Sequence, residues 1–160
     1  MIPNTTGYCA AMFEVGDLMN ENLGSVIALV FLVLALWHFY MAQCPLSGES
    51  SAVPSKDGKP IFVPSRASTN AVGLVLCLFA ALVAATAGLI ASGLPPTLLK
   101  WLSLTLALGL LARSVGEFRY VGFFKRVRGS RFATMDTFLY SPLCLALSLG
   151  IAFVAAGRDT

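Results

Sequence analysis

The sequence predicts an all-α integral membrane protein: an antiparallel bundle of four transmembrane helices, preceded by a short N-terminal interfacial segment. Of its 160 residues, 57% are hydrophobic and 12% are charged, and the mean hydropathy is +0.79. A soluble domain carries about a quarter charged residues. The apolar residues fall into four blocks of about 20, long enough to cross roughly 30 Å of hydrocarbon. Such blocks must be helical, because unpaired backbone amides are costly in lipid.

The four predicted helices form a single domain over residues 1–160, and two longer loops separate them. The helices cover about 23–42, 70–92, 98–117 and 137–156, and the loops cover about 43–69 and 118–136. Ahead of the first helix, apolar residues recur at helical spacing opposite acidic ones, which indicates either a short helix on the membrane surface or a frayed terminus. No Lys or Arg precedes the first block, so it does not have the basic start of a cleavable signal.

The connections carry turn signals. Gly93-Leu94-Pro95-Pro96 predicts a tight turn that makes the second and third helices an antiparallel pair. In the first loop, Lys56-Asp57-Gly58-Lys59 suits a small hairpin turn, although the neighbouring prolines limit strand pairing. The whole loop is interpreted either as an ordered lid over one face of the bundle or as a plain linker.

The cations predict the orientation of the chain. Nine of the 11 Lys and Arg residues lie in or beside the two longer loops, and only Lys100 and Arg158 lie on the opposite side. By the positive-inside rule, the two loops are cytoplasmic and both termini face outward. We therefore expect a multi-pass membrane protein.

Stripes of small or polar residues predict which helix faces pack together. The first two helices carry small residues in register, which allow the helices to approach each other closely or to associate with a second copy or another membrane protein. The stripe on the first helix is Gly24, Ala28, Phe31, Ala35 and His38, and the stripe on the second is Ala80, Ala84, Gly88 and Ser92. The last two helices carry polar stripes expected to face the bundle interior: Thr105, Gly109, Arg113, Gly116 and Glu117, and Asp136, Tyr140, Cys144 and Ser148.

Six polar side chains are predicted to gather at the cytoplasmic ends of the helices: His38, Tyr40, Arg113, Glu117, Asp136 and Tyr140. Arg113 and Glu117 are four residues apart and can pair on one helix, and Asp136 is placed to cap the fourth helix. One interpretation is a purely structural network. The other is a polar pocket open to the cytoplasmic leaflet, in which His38, Arg113 and Glu117 are the candidate catalytic groups.

The third loop interleaves five cations with aromatic residues and contains no acid between Phe118 and Phe132. Rings and cations of this kind favour the headgroup level of anionic membranes. The candidate lipid-binding residues are Arg119, Tyr120, Lys125 and Arg126, together with Tyr40, Asp136 and Tyr140 from the helices. The alternative is that the loop only determines topology. Nucleic acid is not an expected partner, because no motif for reading it accompanies the cations.

The residue inventory argues against several chemistries. His38 is the single histidine, and the four cysteines include no Cys-x-x-Cys pair. A multi-histidine metal site, a bis-histidine haem and a thiol oxidoreductase are therefore not expected in one protomer. Because phosphate-binding glycine loops and dinucleotide fingerprints are also missing, we expect neither a metal nor a cofactor.

Four motifs resemble a bacterial membrane family known only as domain of unknown function 3995. They are Trp37-His38-Phe39-Tyr40, the prolines of 58–64, the run from Arg113 to Arg126, and the run from Arg131 to Cys144. The resemblance extends from about Val26 and implies a four-helix inner-membrane protein without implying a reaction. Family members typically read His-x-Tyr-Trp and carry Asp before Phe-Arg-Tyr, whereas this chain has Met41 and Glu117 at those positions.

Three functions agree with the sequence. The first is a lipid- or partner-binding accessory module whose polar cluster holds the cytoplasmic ends together. The second is a small enzyme acting on a lipid-soluble substrate at that interface, with His38 or Glu117 as base and Arg113 holding a substrate oxygen. The third is a dimeric transporter, which the lack of an ionisable group near the predicted midplane disfavours.

Overall fold

The fold is known from a computed structural model, which describes the backbone of residues 5–44, 55–56, 59–60, 64–116 and 134–158. Its elements are helices α1 (Thr5–Gln43), α2 (Arg66–Thr86), α3 (Pro96–Val115) and α4 (Ser141–Gly157), with a π-helical turn (Asp136–Tyr140) leading into α4. Four segments are long and apolar enough to cross a membrane: Glu14–Gln43, Arg66–Thr86, Pro96–Val115 and Asp136–Gly157. The predicted four-helix membrane bundle is confirmed.

The first helix is longer than its apolar block. It has 39 residues, or about 58 Å at 1.5 Å per residue, and no proline interrupts it. The segment predicted to lie separately on the membrane surface is instead the start of α1, because nothing between Asp17 and Leu23 breaks the helix. Later in the chain, the short strands β1 (Ser55–Lys56) and β2 (Lys59–Pro60) pair antiparallel, which confirms the predicted hairpin.

Helices α1 and α2 pack closely in antiparallel directions. A Cβ built on Gly24 would overlap the Ala87 Cβ, and one built on Gly73 would overlap the Phe39 ring. Glycine at each position lets the two backbones approach, which is how helices associate without a hydrophobic driving force between them. The predicted stripe on α1 is confirmed, because Ala28, Phe31 and Ala35 are all buried.

Helix α2 ends at Thr86, earlier than predicted, and the reason is a glycine cap. Gly88 has φ +83°, the Leu89 amide donates to the Ala84 carbonyl at 2.9 Å, and the Gly88 amide donates to Ala85 at 3.2 Å. This is a Schellman ending, in which the left-handed residue is normally glycine. Gly88 and Ser92 therefore lie beyond the helix, and the buried residues of α2 are Gly73, Ala80, Val83, Ala85 and Thr86.

The predicted interior face of α3 is wrong for two residues. Thr105 and Gly109 are exposed, and the buried positions are Leu99, Ser103, Leu106, Ala107 and Ser114. Thr105 can face lipid because its hydroxyl donates to the Trp101 carbonyl of its own helix at 2.8 Å. A polar residue that is satisfied within its helix gives no reliable sign of burial.

The contacts between helices establish an up-down-up-down order. Ser114 donates to the Ser141 carbonyl at 3.0 Å and Ser148 donates to the Ala107 carbonyl at 2.8 Å, so α3 and α4 are antiparallel. Ile27 packs on Gly150, and Asn20 lies against Gly157, so α1 and α4 are antiparallel as well. The packing is most extensive between α1 and α2 and between α3 and α4. The bundle therefore consists of two tightly packed helix pairs.

We expect Gly24→Ala to lower the free energy of unfolding by about 1–3 kcal/mol, because the added methyl group overpacks the contact with Ala87. Thermal or SDS unfolding in detergent micelles measures the effect. The matched control is Gly109→Ala, because an added Cβ there meets no atom within 4 Å. Equal stability of the two variants would contradict the close α1–α2 contact.

Candidate functional site

An ion pair joins α3 to the start of the fourth membrane segment. Arg113 Nη2 lies 2.9 Å from Asp136 Oδ1 and donates to it. The Asp136 side chain is 0% exposed and that of Arg113 is 36% exposed, so the pair is closed on one side and reachable on the other. We call this end of the bundle the Arg113 end. The prediction that these two residues lie close together is confirmed.

The π-helical turn sets the position of Asp136. The Ser141 amide donates to the Asp136 carbonyl, five residues earlier. Pro142 follows at once and has no amide hydrogen, so a regular α-helical ladder would be interrupted here in any case. Such wider turns are frequent at functional sites. One consequence is that Asp136 and Ser141, both 0% exposed, are buried at the start of the segment that faces α3.

Two buried polar atoms at the Arg113 end have no hydrogen-bond partner among the described residues: Arg113 Nη1 and Ser141 Oγ. Each can donate a hydrogen bond, and the guanidinium also carries charge. A buried donor left unpaired costs about 1–3 kcal/mol. The half-buried Cys144 thiol lies within range of the charges of both Arg113 and Asp136. Chemically, this arrangement can donate to an oxygen atom of a ligand.

His38 lies at the same end but bonds within its own helix. Its Nδ1 is 2.7 Å from the Leu34 carbonyl oxygen. A carbonyl can only accept, so Nδ1 carries the proton and Nε2 of the neutral ring is the basic nitrogen. Continuing the antiparallel register from Asn20 and Ile27 along α1 brings His38 to the level of the π-helical turn. The structure thus places His38 level with the ion pair without a hydrogen bond between them.

The other predicted residues are distributed differently. Tyr40 is 61% exposed and its ring lies 5.8 Å from that of Trp37, so it does not join the buried pair. Tyr140 is half-buried in the π-helical turn. Asp136 does not cap the last segment as predicted, because helical residues 134–135 precede it and its carboxylate pairs with Arg113. Five predictions lie outside the described residues: Glu117, Arg119, Tyr120, Lys125 and Arg126.

The opposite end of the bundle has a polar cluster that the sequence did not reveal. Arg158 Nη1 donates to the carbonyls of Ala85 and Thr86 at 2.7 and 2.5 Å. The Thr86 and Ser103 hydroxyls lie 2.8 Å apart, and Asn20 Nδ2 donates to the Val154 carbonyl at 3.4 Å. We call this the Arg158 end. A cation beside the last carbonyls of a helix also complements its dipole. Gly88, whose residue type favours a helix end, was the signal available in the sequence.

Within the described ranges, no group of three His, Cys, Asp or Glu side chains could hold a metal ion. The described fold and site define a multi-pass membrane protein of four helices with a buried ion pair at one end. The chain belongs to the family described as protein of unknown function (DUF3995), whose match covers residues 31–151. No curated protein and no solved structure matches the chain.

Removing either partner of the ion pair should destabilise the bundle. We expect Asp136→Leu and Arg113→Leu each to cost about 2–3 kcal/mol, because each leaves a charge or its donors uncompensated at a buried position. The double variant should recover part of this loss, since replacement of a whole buried pair is often nearly neutral. Unfolding of the three variants in detergent gives the coupling energy. If the loss of stability in the double variant equalled the sum of the losses in the two single variants, the interaction between Arg113 and Asp136 would contribute nothing to stability.

Proposed function

We propose that this protein is a lipid-binding accessory module of the bacterial inner membrane, with the Arg113 end at the cytoplasmic face and both termini outside. The support for this orientation is the charge bias of the sequence, since nine of 11 Lys and Arg residues lie in or beside the two longer loops that the sequence predicts. The ligand is a phospholipid whose headgroup reaches the Arg113 end while its chains lie along the apolar helices.

The observation that carries the proposal is the state of Arg113. Its guanidinium is held by Asp136 through one nitrogen, its other terminal nitrogen has no partner among the described residues, and its side chain is 36% exposed. A charged donor at the end of a membrane-spanning helix suits a phosphate oxygen. The five cations of the third loop, which are adjacent in sequence, would add attraction for an anionic headgroup.

The test compares phosphatidylglycerol bound to Arg113→Gln and to the unmodified chain, measured by native mass spectrometry from dodecyl maltoside, a detergent without phosphate. We expect about tenfold weaker retention, which corresponds to about 1.4 kcal/mol and to loss of a charged hydrogen bond. Arg66→Gln is the matched control, because Arg66 is an exposed cation at the same end of the bundle. Its lipid retention should be unchanged.

Equal losses in the two variants would show that only general surface charge attracts the lipid. Unchanged retention in Arg113→Gln would overturn the proposed site. Recovery of a second copy or of another membrane protein in place of lipid, lost on the same substitution, would reassign the site to a protein partner.

An enzyme acting on a lipid-soluble substrate is the second candidate, and the geometry of His38 favours it. With Nδ1 bound to the Leu34 carbonyl, Nε2 is a base at the level of Arg113. If this candidate is right, His38→Gln keeps the yield and stability of the protein but reproduces the lipid changes of a deletion strain. A lipid profile identical to that of the unmodified strain would exclude a catalytic role for His38.

A further inference from the structure

We propose that two copies of this chain associate in the membrane through the outward face of α1, which forms a parallel two-helix coiled coil. The positions of this face are spaced alternately four and three residues apart, and we call them the outer seam of α1. They are Val15, Met19, Asn22, Val26, Leu29, Val33, Leu36 and Tyr40. The association is independent of lipid binding at Arg113, which lies on α3.

The outer seam faces away from the rest of the bundle. Apart from Asn22, its side chains are 55–67% exposed, and Asn22 is exposed as well. The opposite side of α1 is buried: Gly24 packs on Ala87, and Ile27 packs on Gly150 of α4. The helix therefore uses one apolar face for the fold of the protomer and presents a second along its length.

The spacing of the outer seam is that of a coiled coil. Residues alternately three and four apart fill the a and d positions of a seven-residue repeat, which stay together when two helices wind around each other. Here Val26 and Val33 occupy a positions, and Leu29 and Leu36 occupy d positions. A β-branched residue at a with Leu at d favours two parallel strands. The seam therefore specifies a pair of helices.

The first helix extends past α4 at the Arg158 end. Asn20 lies against Gly157, the last residue of α4, so residues 5–19 of α1 continue for about 22 Å beyond it. The last membrane segment has 22 residues, which span about 33 Å and already cover the roughly 30 Å of hydrocarbon. The extension of α1 therefore lies at or beyond the headgroups.

The outer seam continues into this extension. Val15 and Met19 lie there and are exposed, and Met12 and Tyr8 continue the spacing in the sequence. Inside the bilayer an outward apolar face matches the lipid, but a row of exposed apolar side chains outside it is typical of a protein interface. A helix of about 12–15 residues is marginal in water unless one face packs on another element, and Gly16 weakens it further. Pairing with a second copy supplies that packing.

Symmetry and charge favour a second copy as the partner. Two copies with the same topology in the membrane pair α1 with α1 in parallel, so each seam position lies opposite the same position of the second copy. Charges in the seam would repel their own copies, but Glu14, Asp17 and Glu21 lead at helical spacing to Gly24, on the bundle-facing side. The seam itself has one polar residue, Asn22, whose amide can hydrogen-bond across the two helices.

The first test measures the oligomeric state of the unmodified chain by native mass spectrometry from dodecyl maltoside, and we expect a dimer. Met19→Glu brings two carboxylates together in the extension and should weaken the dimer about tenfold in a dilution series. The matched control is Leu94→Glu, which adds the same charge at an exposed apolar position outside α1, in the turn at the same end, and should leave the dimer unchanged. A monomeric unmodified chain, or equal effects of the two variants, would overturn the proposal.

The second test locates the contact by disulfide cross-linking in membranes, with one cysteine added to a chain whose four native cysteines are replaced by alanine. Leu29→Cys and Val33→Cys should cross-link, because a disulfide requires Cα atoms about 4.4–6.8 Å apart. The controls are Leu32→Cys, exposed on α1 beside the seam, and Leu149→Cys, exposed on α4 near the depth of Ile27. Both should cross-link far less. If the cysteine-free chain does not fold, the first test decides alone.

Three outcomes would contradict the outer seam as the interface. Cross-linking of Leu149→Cys equal to that of Leu29→Cys would indicate random collision or contact through another helix. Equal cross-linking of Leu32→Cys and Val33→Cys would overturn the register, and a complex with a different protein in place of the second copy would overturn the occupant. Arg113→Gln should lower lipid retention and leave the dimer unchanged, so failure of the lipid-binding function and failure of this inference are separate results.

Discussion

A polar side chain buried in this bundle can be stabilised only by a partner within the protein, because the surrounding hydrocarbon offers none. The buried serines of α3 and α4 show the consequence. Ser114 and Ser148 donate to backbone carbonyls of the facing helix, and Ser103 bonds to Thr86 of α2. These bonds fix the rotation of α3 about its axis, and with it the direction from which Arg113 approaches Asp136.

The number and type of the helices could be predicted from the sequence, because they depend on hydropathy and residue spacing summed over a segment of the chain. Hydropathy gives the four blocks, and helical spacing gives the buried stripe of Ala28, Phe31 and Ala35. The end of α2 could not be found in this way. Apolar residues continue past Thr86, and only the left-handed conformation of Gly88 ends the helix there.

The sequence predicted which residues lie near one another at the site better than it predicted how those residues are arranged. Arg113 and Asp136 were expected at one end of the bundle, but with Asp136 as a helix cap. Their pairing depends on how two helices are rotated against each other, which the small and hydroxyl residues between them determine. The interior face of α3 was predicted from Thr105 and Gly109, and both residues are exposed. The Thr105 hydroxyl bonds to a carbonyl of its own helix. A lone polar residue does not indicate burial unless its own helix leaves it unpaired.

The two ends of the bundle use polar groups in opposite ways. At the Arg158 end, a cation bonds to the last backbone carbonyls of α2, so the bond complements the helix dipole and needs no buried carboxylate. At the Arg113 end, a cation is matched by a fully buried carboxylate, whose desolvation offsets much of the attraction. A buried ion pair is therefore a weak source of stability. The charged pair, the unpaired Ser141 hydroxyl and the π-helical turn lie together at the Arg113 end, where burial of polar groups adds little to the stability of the fold.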